Sequence, residues 1–348
     1  MHLRARGNRH GDWAAVLPKP LAIACLHRNQ RRLAQALGGC PPLFSAGFFA
    51  SVARQIESNG GVASTTSLIH RRAVLLGLVA TAVPTMAVAQ GRLHTVGDRL
   101  IVTEPLPLPT LRRSRRLRIY LPPSYATQST RRYPVIYLHD GQSLFDEAIG
   151  FRNEEWGVDE TLDGLAARHG FEAIAVGIDN DEQMRDLEYN PWDHDHLRRG
   201  DGFAYLEDLV TTIKPAIDAG YRTRPEAPHT ALIGSSKGGL ITHAGLHRHA
   251  QVFGLGAILS PAFWVSPLAV LSLSTAEPVR ASQRVFVYSG GREELGNIDE
   301  ICRMYGEQLA GQTDAREILI WPEAEHDVAV WRKVLPLALR FLYQLPPG

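Results

Sequence analysis

The chain reads as an α/β protein with a mostly parallel central sheet and helices on both of its faces. Three observations predict this. Short continuous apolar runs, such as Val135-Ile136-Tyr137-Leu138 and Ala173-Ile174-Ala175-Val176, have the pattern of strands buried on both faces. Segments with helical apolar spacing lie between these runs, so strand and helix alternate. Residues 100–348 contain no internal repeat and no linker, so one domain is expected there.

In chain order, strands are expected at Leu117–Leu121, Tyr133–His139, Ala173–Ile178, Ala231–Gly234, Gly256–Leu259, Val285–Tyr288 and Ile318–Trp321. Their aliphatic, β-branched and aromatic content suits a buried pleated surface. Trp156–Arg168, Phe203–Ala219, Gly238–His249, Asn297–Leu309 and Val328–Tyr343 repeat apolar residues at the spacing that places one stripe of a helix against a sheet.

With 348 residues, 45% of them hydrophobic, the chain can bury a large core. Its net charge of +1 conceals a division, because residues 1–72 carry 10 Lys/Arg against 2 Asp/Glu and leave 27 and 34 for residues 73–348. The acidic remainder has no basic block suited to a nucleic-acid backbone, and the cluster Arg112, Arg113, Arg115, Arg116 and Arg118 reads as a solvated approach to a strand.

The basic part ends in His70-Arg71-Arg72, followed by an apolar run from Ala73 to Ala89 that closes on Ala87-Val88-Ala89 before Gln90. This is the layout of a secretory signal cleaved after Ala89, and the paired arginines point to the twin-arginine route. Gly77 and Pro84 make the run a poor membrane span. Residues 1–61 are accordingly expected to be a disordered leader or a mispredicted extension, residues 62–89 the signal, and residues 90–348 the folded domain. That domain is expected to be periplasmic or secreted, without stable membrane insertion.

Beyond the signal the single cysteine is Cys302, in a helical pattern where a core role is expected. Asp193-His194-Asp195-His196 reads as a solvated polar loop, and no Cys/His spacing makes a zinc site. No glycine loop of the phosphate-cradling kind is present, so neither metal nor cofactor is expected.

The chemistry concentrates in Thr230 to Gly239, TALIGSSKGG, an apolar run leading into Gly234-Ser235-Ser236-Lys237-Gly238. Glycines two residues before and after Ser236 permit a tight strand-to-helix turn that exposes the serine hydroxyl as a nucleophile. Suitable partners follow in the order serine, acid, histidine. Glu293 and Glu294 lie just past the strand ending at Tyr288, and His326 lies in Pro322-Glu323-Ala324-Glu325-His326-Asp327 before the last helix. Each therefore falls beyond the C-terminal end of an expected parallel strand, where open α/β sheets bind ligands. Backbone N–H groups for an oxyanion are expected from Lys237, at the start of the nucleophile helix, and from Gly141 or Gln142, after the strand ending at His139.

Residues 115–345 resemble the esterase family of the esterase D and enterochelin esterase type, within the α/β-hydrolase superfamily. The resemblance rests on Ile119-Tyr120-Leu121-Pro122-Pro123-Ser124-Tyr125, on the long segment from Tyr133 to Asp146 (YPVIYLHDGQSLFD), on Gly234 to Gly239, and on His326 with Trp331 five residues later. It implies an α/β-hydrolase fold in a single domain and a Ser236, Glu294, His326 triad. Glu294 is preferred to Glu293 because the family's acid follows a G-x-x-D/E pattern, met here by Gly291-Arg292-Glu293-Glu294.

Arg185, Glu188 and Tyr189 are similar to a family stretch bordering the site, and Glu188, Tyr189, Phe145 and Trp156 are expected to contact substrate. His243, His247 and His249 are expected to pack or reach solvent rather than react. The function expected is hydrolysis of a small-molecule carboxylic ester through an acyl-enzyme on Ser236. Acyl transfer of the mycolyltransferase kind and a non-catalytic binding module are the alternatives, each compatible with the same fold.

Overall fold

The computed structural model describes residues 94–95, 97–193, 199–293 and 297–347. The leader and signal expected at 1–61 and 62–89, His194 to His196, and Glu294 lie outside the described residues.

Eight strands form the central sheet in the order β1-β4-β6-β5-β7-β8-β9-β10. They are β1 (Leu100–Val102), β4 (Leu117–Tyr120), β5 (Val135–His139), β6 (Ile174–Ile178), β7 (Thr230–Ser235), β8 (Leu255–Leu259), β9 (Arg284–Gly290) and β10 (Arg316–Trp321). β4 pairs antiparallel with both β1 and β6, and every other pairing in the sheet is parallel. A separate hairpin joins β2 (Leu106–Leu108) to β3 (Arg113–Arg115). This is the α/β-hydrolase topology.

Helices α1 (Val158–His169), α2 (Arg185–Glu188), α3 (Gly202–Asp208), α4 (Lys214–Gly220), α5 (Lys237–Arg248), α6 (Pro267–Ala276), α7 (Ile298–Ala310) and α8 (Val328–Tyr343) flank the sheet. Strand alternation divides the core in two. Val135, Tyr137 and Leu232 face one layer with Leu240, Ile301 and Tyr305, while Ile136, Leu138 and Ile233 face the other with Leu162, Trp331 and Leu335. α5 is buried nearly all round from Gly238 to His247, which explains why its sequence is so poor in charge after Lys237.

The seven expected strands and five expected helices are all present, with boundaries moved by a residue or two. The helix expected over 203–219 is interrupted by a π-helical turn, Leu209–Ile213, between α3 and α4. Four elements had not been expected: β1, the β2–β3 hairpin, α2 and α6. The three strands have three residues each, too few to show a period, and α6 is a nearly continuous apolar run, PLAVLSLSTA, without an amphipathic stripe. Among the described residues no helix is long and apolar enough to cross a membrane.

Candidate active site

β7 ends at Ser235, and the next residue turns the chain sharply into α5. Ser236 has φ 56° and ψ −122°, a conformation that a residue with a Cβ adopts only when its surroundings enforce it. Its N–H donates to Leu259 O at 3.0 Å, and its carbonyl accepts from Leu240 N at 3.1 Å and Ala262 N at 2.8 Å. A Cβ on Gly234 would lie 2.4 Å from Gly238 O, so strand and helix approach this closely only with glycine there. Ser236 is partly exposed, and among the described residues no side chain hydrogen-bonds its hydroxyl.

Beneath this turn lies His139, the last residue of β5 and 1% exposed. Its ring borders the space beside Gly234, and its Nδ1 lies 2.9 Å from Tyr205 OH. Desolvation lowers its pKa to about 4, so it is a neutral packing group.

Asp140 follows in the left-handed region, φ 59° and ψ 47°, and opens the 3₁₀ turn Gly141–Ser143. Arg185 Nε and Nη2 donate to its two carboxylate oxygens at 2.7 and 2.8 Å, and Asn180 Nδ2 donates at 2.5 Å. Burial opposes the charge on Asp140, yet the Arg185 ion pair and these donors hold its carboxyl below the ordinary range. A Cβ on Gly141 would meet Asp179 Oδ1 at 2.6 Å. The Gln142 side chain exchanges hydrogen bonds with Asn180, donating to Oδ1 at 2.8 Å and accepting from the backbone N–H at 3.0 Å.

The two turns that carry the predicted oxyanion donors therefore leave neighbouring strands, β5 and β7. As first residue of its helix, Lys237 presents an N–H with no intrahelical acceptor, at the positive end of the helix dipole. Its side chain turns aside to an ion pair with Asp186 at 2.5 Å.

Past β9 the chain makes a tight turn in which Glu293 reaches back to accept the Gly290 N–H at 2.6 Å. Backbone bonds from Gly291 N to Trp321 O (2.8 Å) and from Arg292 N to Ala324 O (3.0 Å) zip this turn to the loop after β10. That loop carries His326, and His326 Nδ1 stands 2.9 Å from Glu293 Oε2. Glu293 is 9% exposed overall, with its side chain shielded from solvent, whereas the His326 side chain keeps 21% exposure. The carboxylate facing His326 is thus that of Glu293, while the residue preferred on family pattern, Glu294, lies outside the described residues.

Ser260, at the end of β8, was not singled out from the sequence. It is fully buried with φ 41°, and its hydroxyl donates to Glu293 Oε1 at 2.6 Å and accepts from Trp331 Nε1 at 2.9 Å. Its placement just past a parallel strand, ahead of Pro261, was the available signal.

The four residues expected to contact substrate require correction. Phe145 is 1% exposed and stacks on Tyr120 at 6.5 Å, and Trp156 is 3% exposed with its ring 5.8 Å from that of Trp331. Glu188 and Tyr189 are fully buried. Glu188 accepts from Arg113 at 2.6 Å and from Arg115, and the Tyr189 hydroxyl accepts the Asp140 N–H at 3.1 Å. These side chains are used up inside the protein and support the site from behind. In the arginine cluster, Arg112 and Arg116 are exposed as expected, whereas Arg113 and Arg115 serve Glu188 and Arg118 pairs with Asp179 at 2.7 Å. The helix histidines do pack: His243 and His247 are buried against Ser274 and Tyr305.

The family model "Esterase: Putative esterase" matches residues 109–342, a span that includes every residue of the candidate site. The chain belongs to this esterase family. The chain is 30% identical over 188 residues to the "Uncharacterized protein YbbA" of Bacillus subtilis, covering 52% of this chain and 69% of that one. An IroE-like serine hydrolase from Shewanella oneidensis matches 70% of this chain and 80% of its own with a TM-score of 0.58 at 21% identity. Enterochelin esterase from Shigella flexneri matches with TM-score 0.58 at 20% identity, over 72% of this chain and 59% of its own length. A ferulic acid esterase matches with TM-score 0.54 at 20% identity, over 71% and 99%. At these identities the solved structures establish a shared fold.

Proposed function

We propose that the protein is an exported serine hydrolase that cleaves carboxylic esters, with Ser236 as nucleophile, His326 as general base and acid, and Glu293 as the orienting carboxylate. The observation that carries this reading is the Glu293–His326 pair, whose loops leave the same end of the sheet as the strained Ser236 turn. A carboxylate on Nδ1 fixes the tautomer that leaves Nε2 free to accept a proton.

With an ester bound, Ser236 Oγ attacks the carbonyl carbon while His326 Nε2 takes the hydroxyl proton. The carbonyl electron pair moves onto oxygen, which the N–H groups of Lys237 and of Gly141 or Gln142 receive. Collapse expels the alcohol, protonated by His326, and leaves an acyl-serine. Water, deprotonated by the same imidazole, then attacks, releases the carboxylic acid and restores Ser236. The Ser236–His326 hydrogen bond belongs to the complex with substrate, where such bonds tighten.

Four of the six large apolar side chains exposed among the described residues, Ile149, Phe151, Trp264 and Leu268, sit on the segments that leave β5 and β8 beside the site. They support a substrate with an apolar or aromatic acyl or alcohol part. Export rests on the signal pattern of residues 62–89, and recovery of a chain beginning at Gln90 from the periplasm or medium would test it.

The deciding experiment is hydrolysis of p-nitrophenyl acetate through octanoate and of a feruloyl ester by the wild type and Ser236→Ala. Turnover lost in the variant supports the assignment. Two folded but inactive proteins would overturn it in favour of a binding module, and acyl transfer to trehalose in preference to water would favour the acyltransferase.

A further inference from the structure

We infer that Ser260 is a positioning residue for the reaction: its hydroxyl, set by Trp331, fixes the plane of the Glu293 carboxylate so that an oxygen faces His326. This rests on the hydrolase reading above.

The direction of each hydrogen bond follows from chemistry alone. An indole N–H only donates and an ionised carboxylate only accepts, so a hydroxyl between them must accept from Trp331 and give its single proton to Glu293. Glu293 Oε1 then holds two donors, Ser260 Oγ–H and Gly290 N–H, both at 2.6 Å. Any turn of the carboxylate out of this plane would break both, so they hold the other oxygen toward His326 Nδ1, 2.9 Å away.

Trp331 also touches the base directly. Its ring meets that of His326 edge-on, with planes at 90° and centroids 5.0 Å apart, and Trp156 backs it from the other side. One side chain on α8 thus restrains the imidazole and, through Ser260 at the end of β8, the acid on the turn after β9. A residue needed only to fill this space would be apolar, because a hydroxyl costs desolvation unless both its roles are used. Here both are used, and the backbone tolerates a left-handed serine with its N–H on Tyr288 O at 2.7 Å.

The test compares wild type, Ser260→Ala, Trp331→Phe and the double variant, after melting curves confirm folding. It reads kcat, KM and the pH dependence of kcat/KM on p-nitrophenyl butyrate, together with the pH dependence of fluorophosphonate labelling at Ser236. Ser260→Ala is expected to lower kcat/KM about ten-fold, mostly in kcat, as for a lost hydrogen bond to a charged group. Without the hydroxyl proton the charge on Glu293 is less dispersed, so the Glu293–His326 pair holds its proton to higher pH. The acid limbs of both profiles are therefore expected to move upward.

Trp331→Phe keeps an aromatic ring beside His326 while removing the donor and part of the packing, and it is expected to shift the limbs in the same direction by less. It carries the test if Ser260→Ala does not fold. The double variant is expected to be no worse than Ser260→Ala, since both substitutions break one chain of bonds. Unmoved acid limbs, or full additivity, would overturn the role of Ser260 while labelling of wild-type Ser236 left the hydrolase reading standing. A wild type neither labelled nor active on esters would overturn both.

Discussion

Both oxygens of the Asp140 carboxylate are held by one guanidinium, that of Arg185, at 2.7 and 2.8 Å. The pair ties the turn carrying Gly141 and Gln142 to α2, and Asp140 needs that tie because its own backbone is left-handed. Arg185→Ala would leave a shielded carboxylate without its cation. We expect a stability loss of roughly 2–4 kcal/mol and a fall in kcat of about 10- to 100-fold with smaller change in KM, since the donors on the turn act on the developing oxyanion. Arg185→Lys restores charge without the two-pronged geometry and should recover stability better than kcat. Denaturant melts and ester kinetics on the two variants check this.

Glu293→Gln should lower kcat about 10⁴-fold, as expected when the group that orients a catalytic imidazole no longer accepts its proton. Glu294→Gln should remain within about three-fold of wild type, the scale of a substitution outside the transition-state contacts. The same kinetics on both variants decide which carboxylate serves His326, and the reverse order of effects would return the assignment to Glu294.

Ser236→Gly should make the protein inert to a fluorophosphonate probe and more stable. The side chain at φ 56°, ψ −122° stores strain of about 1–3 kcal/mol, part of which is offset by the greater chain entropy of glycine, leaving a gain of about 1 kcal/mol. Ser236→Ala keeps the Cβ and should be inert without that gain. Thermal melts of the two variants side by side are the measurement.

Stability should pass through a maximum near pH 6.5. Desolvation depresses His139 and His247 to about 4 and His243 well below its ordinary value, so below about pH 6.5 the unfolded chain binds protons that the folded one refuses. Their contribution is complete above the ordinary histidine value and is lost as the pH falls toward 4. Burial acts the other way on Glu155, raised from 4.5 to about 7 by desolvation and by neighbouring Glu160 and Asp159, and Asp159 is raised as well. Their contribution is complete below the ordinary carboxyl range and is lost as the pH rises through about 7. His229 and His249 are lowered by burial as well, so the histidines outnumber the two carboxyls between these limits, which sets the rising slope. Melting temperatures from pH 4.5 to 8.5 test the shape, and Glu155→Gln should flatten the decline above pH 6.5.

The strands were readable because β5, β6, β7 and β8 are buried on both faces, which requires continuous apolar runs. The serine turn was readable because Gly234 has no substitute where a Cβ would lie 2.4 Å from the backbone of the following helix. Glu188 and Tyr189 were misread because a charged or hydroxylated residue beside a site looks the same in sequence whether it faces substrate or an internal arginine. For Glu188 the positions of Arg113 and Arg115, more than 70 residues earlier in the chain, decide between these, and for Tyr189 the Asp140 N–H does.

By itself, the sequence determined the alternation of strand and helix, the exposed-serine turn and the order of serine, acid and histidine, because local sterics and burial on a sheet write themselves into neighbouring residues. Tertiary structure brings the Glu293 carboxylate to His326, sets Ser260 between Glu293 and Trp331, and pairs Arg185 with Asp140 at the turn that carries Gly141 and Gln142. These depend on side chains from separate loops converging within hydrogen-bond reach, and hydrogen bonds act over a distance in space that carries no fixed spacing along the chain.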